Sequence, residues 1–343
     1  MKRALVIALV LACKSDAPRP QAGSGSSAPA PRTFGVLAEI RGGKATLVAG
    51  TRRFALRVDD RWYDATAGKL VENPALGAAL AKEAPTDVFL GATPVAVSGE
   101  EHHEKHVRFT PAREELTVLG VATKIEATRD GLEVWAYTHE LEKNLALVRG
   151  GTISYPKPFA RVGPMPESMS PVSAKLCERP HVADVAASDR AVFALVTECS
   201  PLAPLRLAEY ANEAAEPKET QLATRRDLGI SFEKLVVSRT GRVHVVGVRD
   251  KRLAIDTLVD GKLAASTFAP VSRVFSAVAA DDEAVWTLVI DTAGKAAILR
   301  DGMQMATKAA PSGLAVDETL GVVVLAGSQL YAERPGPRVV ITR

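Results

Sequence analysis

Leu314-Ala-Val-Asp-Glu-Thr-Leu-Gly-Val-Val-Val-Leu325 is one of five similar stretches in this chain, each made of two short β-rich runs around a polar or glycine-containing turn. The other four are Ile125–Tyr137, Val182–Leu195, Leu235–Val246 and Ala277–Leu288. One alignment column holds a valine in every copy, and the next holds Trp135, Phe193, His244, Trp286 and Val323. Bulky residues on both faces predict strands that are covered on both sides, as in sheets stacked face to face.

Two further copies extend the pattern toward the start of the chain. Leu37–Ala55 aligns without a gap on Leu314–Ala332, and a weaker candidate runs from Val95 to Phe109 with its turn around Gly99 to His103. Turns that recur every 30 to 60 residues or so are typical of repeat architectures. At roughly 40 to 45 residues per blade, the sequence predicts an all-β fold, a β-propeller with seven blades favoured and six larger blades as the alternative.

The two ends of the repeat region are predicted to meet. Arg338–Thr342 and Phe34–Ile40 are β-rich, and placing them in one blade would close the ring and remove its last sheet edges. One helix is predicted near 74–83, as an insertion between blades. Asn73 is a suitable N-cap, Pro74 suits the first helical position, and Pro85 follows the segment.

Turn segments after several hairpins carry a family resemblance. Tyr63–Leu70, Ile255–Leu263 and Ile290–Lys295 resemble blades of quinoprotein-type and WD40-like propellers. The chain lacks the sharper signatures of those families, since no regular blade-closing Trp follows Gly-Lys and neither a Trp-Asp pair nor an Asp-box ends a blade. The resemblance therefore implies an architecture and no particular activity.

The first residues have the pattern of an export signal. Lys2 and Arg3 precede an apolar run too short to cross a bilayer as a helix. Val10-Leu11-Ala12-Cys13 resembles the lipobox of bacterial lipoproteins, which implies that residues 1–12 are a signal peptide and that Cys13 carries a lipid. The alternatives are an ordinary secretory signal and an unusual start site. Residues 13–32 are rich in Pro, Gly, Ser and Ala, which predicts a flexible tether before a propeller domain at 33–343.

Charge limits the classes of partner. The chain is formally +3, but residues 1–32 carry five cations and one anion, so the remainder is −1. A basic footprint for nucleic acid is therefore missing. We expect a monomer that meets the membrane only through its lipid, most simply at the outer membrane facing the periplasm, and that requires no cofactor.

Histidines and carboxylates offer few candidate sites. Glu100–His106 contains His102, His103 and His106, and imidazole with carboxylate is a zinc ligand set. The spacing is not that of a metalloprotease helix, so a solvated turn is favoured and no metal is predicted. His139, His181 and His244 are isolated and are interpreted as packed residues. Gly68-Lys69, Gly294-Lys295, Asp59-Asp60 and Asp281-Asp282 are interpreted as turns.

The cysteines suggest one disulfide. With Cys13 lipidated, Cys177 and Cys199 are left as a pair in an oxidising compartment. A hairpin turning at Ser188-Asp189 would place them nearly opposite each other, and Pro180 suggests that the bridge pins a loop. Two buried free thiols are the alternative.

Together these features predict a cell-envelope module that binds or scaffolds a protein or polymer through propeller loops. No Gly-x-Ser-x-Gly elbow or spaced catalytic motif is present, and no catalytic residue is assigned. The alternative is an envelope hydrolase or lyase that acts on glycans or peptides.

Overall fold

Strands form nearly all of the regular structure in the residues that the structure describes. The computed structural model describes residues 34–83, 87–100, 103–108, 114–117, 121–139, 142–164, 179–211, 216–281 and 283–342. Two helices lie within them, α1 (Pro74–Glu83) and α2 (Arg225–Leu228). The chain from Phe34 onward forms one compact unit.

The strands follow one another with short connections. In chain order they are β1 (Gly35–Arg41), β2 (Ala45–Gly50), β3 (Arg53–Val58), β4 (Arg61–Thr66), β5 (Lys69–Glu72), β6 (Asp87–Leu90), β7 (Pro94–Glu100), β8 (His103–Arg108), β9 (Glu114–Thr117), β10 (Val121–Ala127), β11 (Glu133–His139), β12 (Glu142–Arg149), β13 (Thr152–Ser154), β14 (His181–Ala187), β15 (Ala191–Thr197), β16 (Pro204–Ala211), β17 (Lys218–Thr224), β18 (Ser231–Val237), β19 (Val243–Arg249), β20 (Arg252–Val259), β21 (Lys262–Ala264), β22 (Thr267–Ala279), β23 (Val285–Asp291), β24 (Ala296–Arg300), β25 (Met303–Met305), β26 (Pro311–Asp317), β27 (Gly321–Ala326), β28 (Gln329–Ala332) and β29 (Val339–Thr342).

Antiparallel runs of consecutive strands build the sheets. β10 to β13 and β14 to β17 are separate four-stranded sheets. β2 to β5 and β6 to β9 share a sheet through one parallel contact, Gly50 opposite Leu90. β18 to β21 and β22 to β25 are joined where β20 pairs with β22. Each run is thus a local unit, and the two joined sheets are pairs of such units.

The first strands of the runs form a closed ring. β2, β6, β10, β14, β18, β22 and β26 each contact the next, and β26 contacts β2. Later strands of each run add outward from this ring, in the order of the chain. The arrangement leaves a channel along the axis of the ring.

Both ends of the described chain lie in one sheet, as predicted. β1 pairs antiparallel with β28 and parallel with β29, giving the order β26-β27-β28-β1-β29. Ile341 of β29 is buried in the same apolar cluster as Leu37 of β1 and Leu56 of β3. The closure predicted from the terminal β-rich runs is confirmed.

The five hairpins aligned in the sequence are confirmed as paired first and second strands of their runs: β10–β11, β14–β15, β18–β19, β22–β23 and β26–β27. Their second strands are covered on both faces, since all residues of β15 and β27 are buried. The turns are set by side chains. Thr128, Ser188, Ser238 and Asp317 each accept the backbone N–H of a residue that closes the turn, at 3.0 Å.

The sixth copy is wrong, whereas the seventh is confirmed as a hairpin but lies at a different place in its run. Leu37–Ala55 spans β1 and β2, but β1 is an outer strand beside β28, whereas β2 begins the next run and pairs with β3. Val95–Phe109 covers β7 and β8, the second and third strands of their run. Its turn is tighter than predicted, because Glu100 is already opposite His103. Alternating apolar residues in neighbouring strands look alike wherever in a sheet the strands lie.

Helix α1 has the predicted limits. Asn73 caps it, its Oδ1 accepting the Leu76 N–H at 2.9 Å. Leu76 and Leu80 are buried with Trp62 of β4 and Ala96 of β7. The helix therefore fills the space between the β2–β5 and β6–β9 runs.

Candidate functional site: the central channel

A small cavity of about 70 Å³ lies inside the ring of first strands. Its walls come from the β2–β3 turn and from six first strands, all but β6: Gly50, Thr51, Arg52, Lys124, Glu126, Ala186, Ala187, Leu235, Val236, Val237, Ala277, Val278, Ala279 and Val316. The volume accommodates a few waters. A larger ligand would have to bind at a mouth of the channel.

Lys124 is the central cation of the channel wall. Its Nζ lies 3.0 Å from Asp184 Oδ1, 3.4 Å from Glu126 Oε1 and 2.5 Å from the Val185 carbonyl oxygen. Burial lowers the pKa of Lys124, but the two carboxylates outweigh burial and raise it above the ordinary value. The side chain keeps 34% of its exposure, because the channel beside it is open.

Asp184 joins three neighbouring first strands. It lies in β14, accepts the Lys124 ammonium from β10, and accepts the Leu235 N–H of β18 at 2.8 Å. Its side chain is almost fully buried. Asp184 and Lys124 therefore act on each other and on the backbone, which indicates a structural role in holding the ring together.

One end of the channel is closed by ion pairs that cross it. The two-residue β2–β3 turn holds Arg52 in a left-handed conformation and directs its guanidinium to Asp189 in the β14–β15 turn. Arg239 approaches the same carboxylate at 3.2 Å, and Arg129 pairs with Glu318 at 3.0 Å. Burial lowers the pKa of Arg52, although a guanidinium stays charged. We call this end the turn face.

The opposite end is shaped by β-bulges. The register of first strands skips Thr123, Ala183, Phe275 and Ser312, and residues 232–233 lie between paired Ser231 and Lys234. These positions lie at nearly the same level of their hairpins, so we call Thr123, Ala183, Glu233, Phe275 and Ser312 the bulge ring. A bulge re-aims side chains and is common beside binding sites. This end is called the mouth face.

Phe275 is an exposed apolar residue of the bulge ring, and Tyr155 and Leu202 are also exposed at this end of their runs. Phe275 precedes the cavity-lining stretch Ala277–Ala279, and 44% of it is exposed. The Arg273 guanidinium lies 5.0 Å from the centre of its ring. Nothing in the sequence marked Phe275, since a bulge depends on backbone pairing that residue patterns do not reveal.

A second cavity opens on the same face. It has a volume of about 740 Å³ and is lined by Lys44, Thr46, Arg57, Asp59, Asp60 and Arg61. Asp59 Oδ1 accepts the Lys44 N–H at 2.9 Å, which agrees with the prediction that Asp59-Asp60 forms a turn. The groove carries charges of both signs and is open to solvent.

The histidine cluster is only partly described. The backbone of His103 and His106 lies in strand β8. Residue His102 and the side chains of His103 and His106 fall outside the described part. The predicted turn is therefore wrong at His103 and His106, because β8 already begins at His103. The prediction that these side chains bind no metal remains a prediction. Among described residues, no group of three or more His, Cys, Asp or Glu side chains is placed to hold a metal ion.

His244 is a packed residue, as predicted. It is 4% exposed, and its Nδ1 lies 2.9 Å from Thr257 Oγ1. Burial, helped by the nearby Arg242 charge, lowers the pKa of His244 to about 4. His181 is half-buried at the start of β14, and the side chain of His139 is outside the described part.

The remaining predicted residues have mixed outcomes. Gly68 and Gly294 have positive φ, as expected of turns, and Asp281 pairs with Arg334, while Asp282 is not described.

Cys199 is disulfide-bonded. Cys177 and Cys13 lie outside the described residues, so the pairing with Cys177 and the lipid on Cys13 remain predictions. No described helix is both long and apolar enough to span a bilayer.

Comparison with known proteins identifies the architecture. No protein-family model and no curated protein sequence matches the chain. Among solved structures, the β-propeller domain of Cps50 (Swd1) from Myceliophteria thermophila is 12% identical, with a TM-score of 0.50 over 87% of this chain and 99% of that one. Hsv2 from Kluyveromyces lactis is 7% identical, with a TM-score of 0.50 over 86% and 91%.

A lyase is also similar in shape. Inactive virginiamycin B lyase from Staphylococcus aureus, solved with quinupristin, is 11% identical with a TM-score of 0.46 over 88% of this chain and 96% of that one. That score supports no functional inference. The similarity to the two structures with TM-scores of 0.50 shows the propeller fold. The predicted resemblance to propeller blades is therefore confirmed at the level of architecture.

Proposed function

We propose that the ring is a seven-bladed β-propeller. Its blades would be the runs β2–β5, β6–β9, β10–β13, β14–β17, β18–β21 and β22–β25, with β26–β28 completed by β1 as the last blade. The closed ring of first strands supports this count over six larger blades. The joined sheets support it too, since each contains two first strands of the ring.

We propose that this propeller is a binding or scaffolding module of the cell envelope, anchored through a lipid on Cys13. The observation that carries the proposal is the difference between the two ends of the channel. Ion pairs seal the turn face, whereas the mouth face presents the bulge ring with Phe275 exposed. A rigid ring that offers an exposed aromatic residue at an open mouth is suited to hold a partner.

The alternative, an envelope hydrolase or lyase, needs an acid, base or nucleophile free at the mouth. The charged groups just below the bulge ring, Lys124 and Asp184, are engaged with each other and with backbone groups. This arrangement favours binding over catalysis.

Site-specific photo-cross-linking tests the binding function. A benzophenone amino acid is placed at Phe275, and a matched control carries it at exposed Arg190 on the turn face. In cells that make the protein, we expect a saturable adduct of defined mass from position 275 and none from position 190. Equal adducts from both positions, or none from position 275, would contradict the proposal.

A further inference from the structure

Charges are distributed unequally over the two faces. On the turn face, several described cations pair with carboxylates, as in Arg239–Asp189, Arg242–Glu283 and Arg334–Asp281. Exposed Arg190 and Lys262 have no ion-pair partner among the described residues, but exposed Asp130, Asp260 and Asp301 lie on the same face. On the mouth face, exposed cations lie in loops and turns that adjoin the starts of β2, β18, β20, β24 and β26: Lys44, Arg226, Lys251, Arg252, Lys295 and Lys308. None of these six has an ion-pair partner within the described part of the chain.

Among the residues whose side chains are described, the mouth face therefore has more exposed cations than exposed carboxylates. Its exposed described carboxylates are Asp60, Glu72, Asp227 and Asp250, fewer than the six cations named above. Fixed charges of one sign around an opening attract a partner of the opposite sign and orient it on approach. The near-neutral charge of the whole body conceals this local excess.

The chemistry of the face narrows the kind of anion. Phe275 with Arg273 offers an apolar contact on this face, and buried aromatic and arginine side chains carry much of the affinity in protein interfaces. The groove of about 740 Å³ contains Asp59 and Asp60 beside its cations. Those carboxylates would repel a uniform polyanion, whereas a peptide can offer them N–H groups.

We propose that the mouth face binds an acidic peptide segment of a partner protein, with carboxylates on its unpaired cations and an apolar side chain against Phe275. The proposal rests on the proposed binding function and specifies its partner. An anionic polymer or membrane surface is the competing occupant.

Fluorescence anisotropy with synthetic peptides tests the proposal. The probe is a labelled peptide of about 12 residues, ~40 Å when extended, with glutamates around one phenylalanine. The same peptide with Gln for Glu, and another with Ser for the Phe, serve as comparisons. We expect the acidic peptide to bind about tenfold more tightly than the Gln peptide at ~50 mM salt, and the advantage to shrink at ~200 mM.

Matched variants locate the binding. Lys251→Glu with Lys295→Glu changes two mouth-face cations, and Arg190→Glu with Lys262→Glu makes the same change in charge on the turn face. We expect only the first pair to weaken the acidic peptide by about tenfold or more. Phe275→Ala should remove the preference for the phenylalanine peptide. Unchanged unfolding midpoints show that the variants are folded.

Three outcomes would overturn the proposal. One is equal binding of the Glu and Gln peptides, and another is equal loss from both variant pairs. The third is tighter binding of anionic lipid vesicles or dextran sulfate than of the peptide, with loss in the same variants, which would identify a polyanion. If no acidic peptide binds but position 275 still cross-links saturably, the acidic partner is wrong and the binding function stands.

Discussion

His244 occupies a buried position of the hairpin repeat, but it is titratable, unlike the residues at the same position in the other hairpins. Its column holds Trp135, Phe193 and Trp286 in other hairpins, and burial lowers the pKa of His244 to about 4 from an ordinary 6.5. At pH 5 the unfolded chain binds a proton that the folded protein excludes, so stability present above pH 6.5 is lost as the pH falls toward 4. We expect His244 to account for a loss of about 2 kcal/mol between pH 7.5 and 5. In His244→Phe, urea unfolding at the two pH values should show that loss removed.

Arg242 and Glu283 are the charged neighbours of His244, and they oppose each other in their effect on its pKa. His244→Phe leaves both in place, so the difference in pH dependence between variant and parent reports the imidazole. An identical pH dependence in the two proteins would show that the buried ring does not exclude its proton.

At the scale of the element, strand β29 closes the ring, and its two faces differ. Ile341 is 3% exposed within the core that β1 and β3 share, while its neighbour Val340 is 46% exposed. Ile341→Ala should lower the free energy of unfolding by about 2 to 4 kcal/mol, because it leaves a cavity among buried side chains. Val340→Ala, the matched change on the same strand, should cost less than about 0.5 kcal/mol. Denaturant unfolding compares the two, and equal midpoints would refute the packing of β29 against the core.

The hairpins were predictable from sequence because each combines a polar turn residue with two apolar runs, as in Ser238 between β18 and β19. Which strand starts a run was not predictable. Leu37–Ala55 has the pattern of a hairpin, yet its two strands belong to different runs, since pairing over the whole chain placed β1 beside β28. The same limit explains why the helix cap at Asn73 was found and Phe275 was missed. A cap is a local property, and a bulge is a property of two paired strands.

At the scale of the whole molecule, ion pairs between runs that are not neighbours in the ring stabilise the turn-face end of the channel. Arg52 and Asp189 are 12% and 21% exposed, whereas Arg129 and Glu318 are 57% and 50% exposed. Arg52→Ala should lower the free energy of unfolding by about 2 kcal/mol, because it removes charged hydrogen bonds from a partly buried carboxylate. Arg129→Ala should cost less than about 1 kcal/mol, since solvent screens that pair. Thermal unfolding of both variants checks the order, and a larger effect for Arg129→Ala would contradict it.

The pairing of β1 with β28 also means that the ring cannot close until nearly the whole chain has been synthesised. At ordinary rates of translation, β28 leaves the ribosome on the order of 15 to 60 s after β1. Until then β1 has no antiparallel neighbour, and the strands between them can form only hairpins and open sheets. Closure of the ring is therefore a late event in synthesis, although sheets such as β10–β13 can pair before it. A protein that must be threaded through a translocation pore before folding would gain time from this delay.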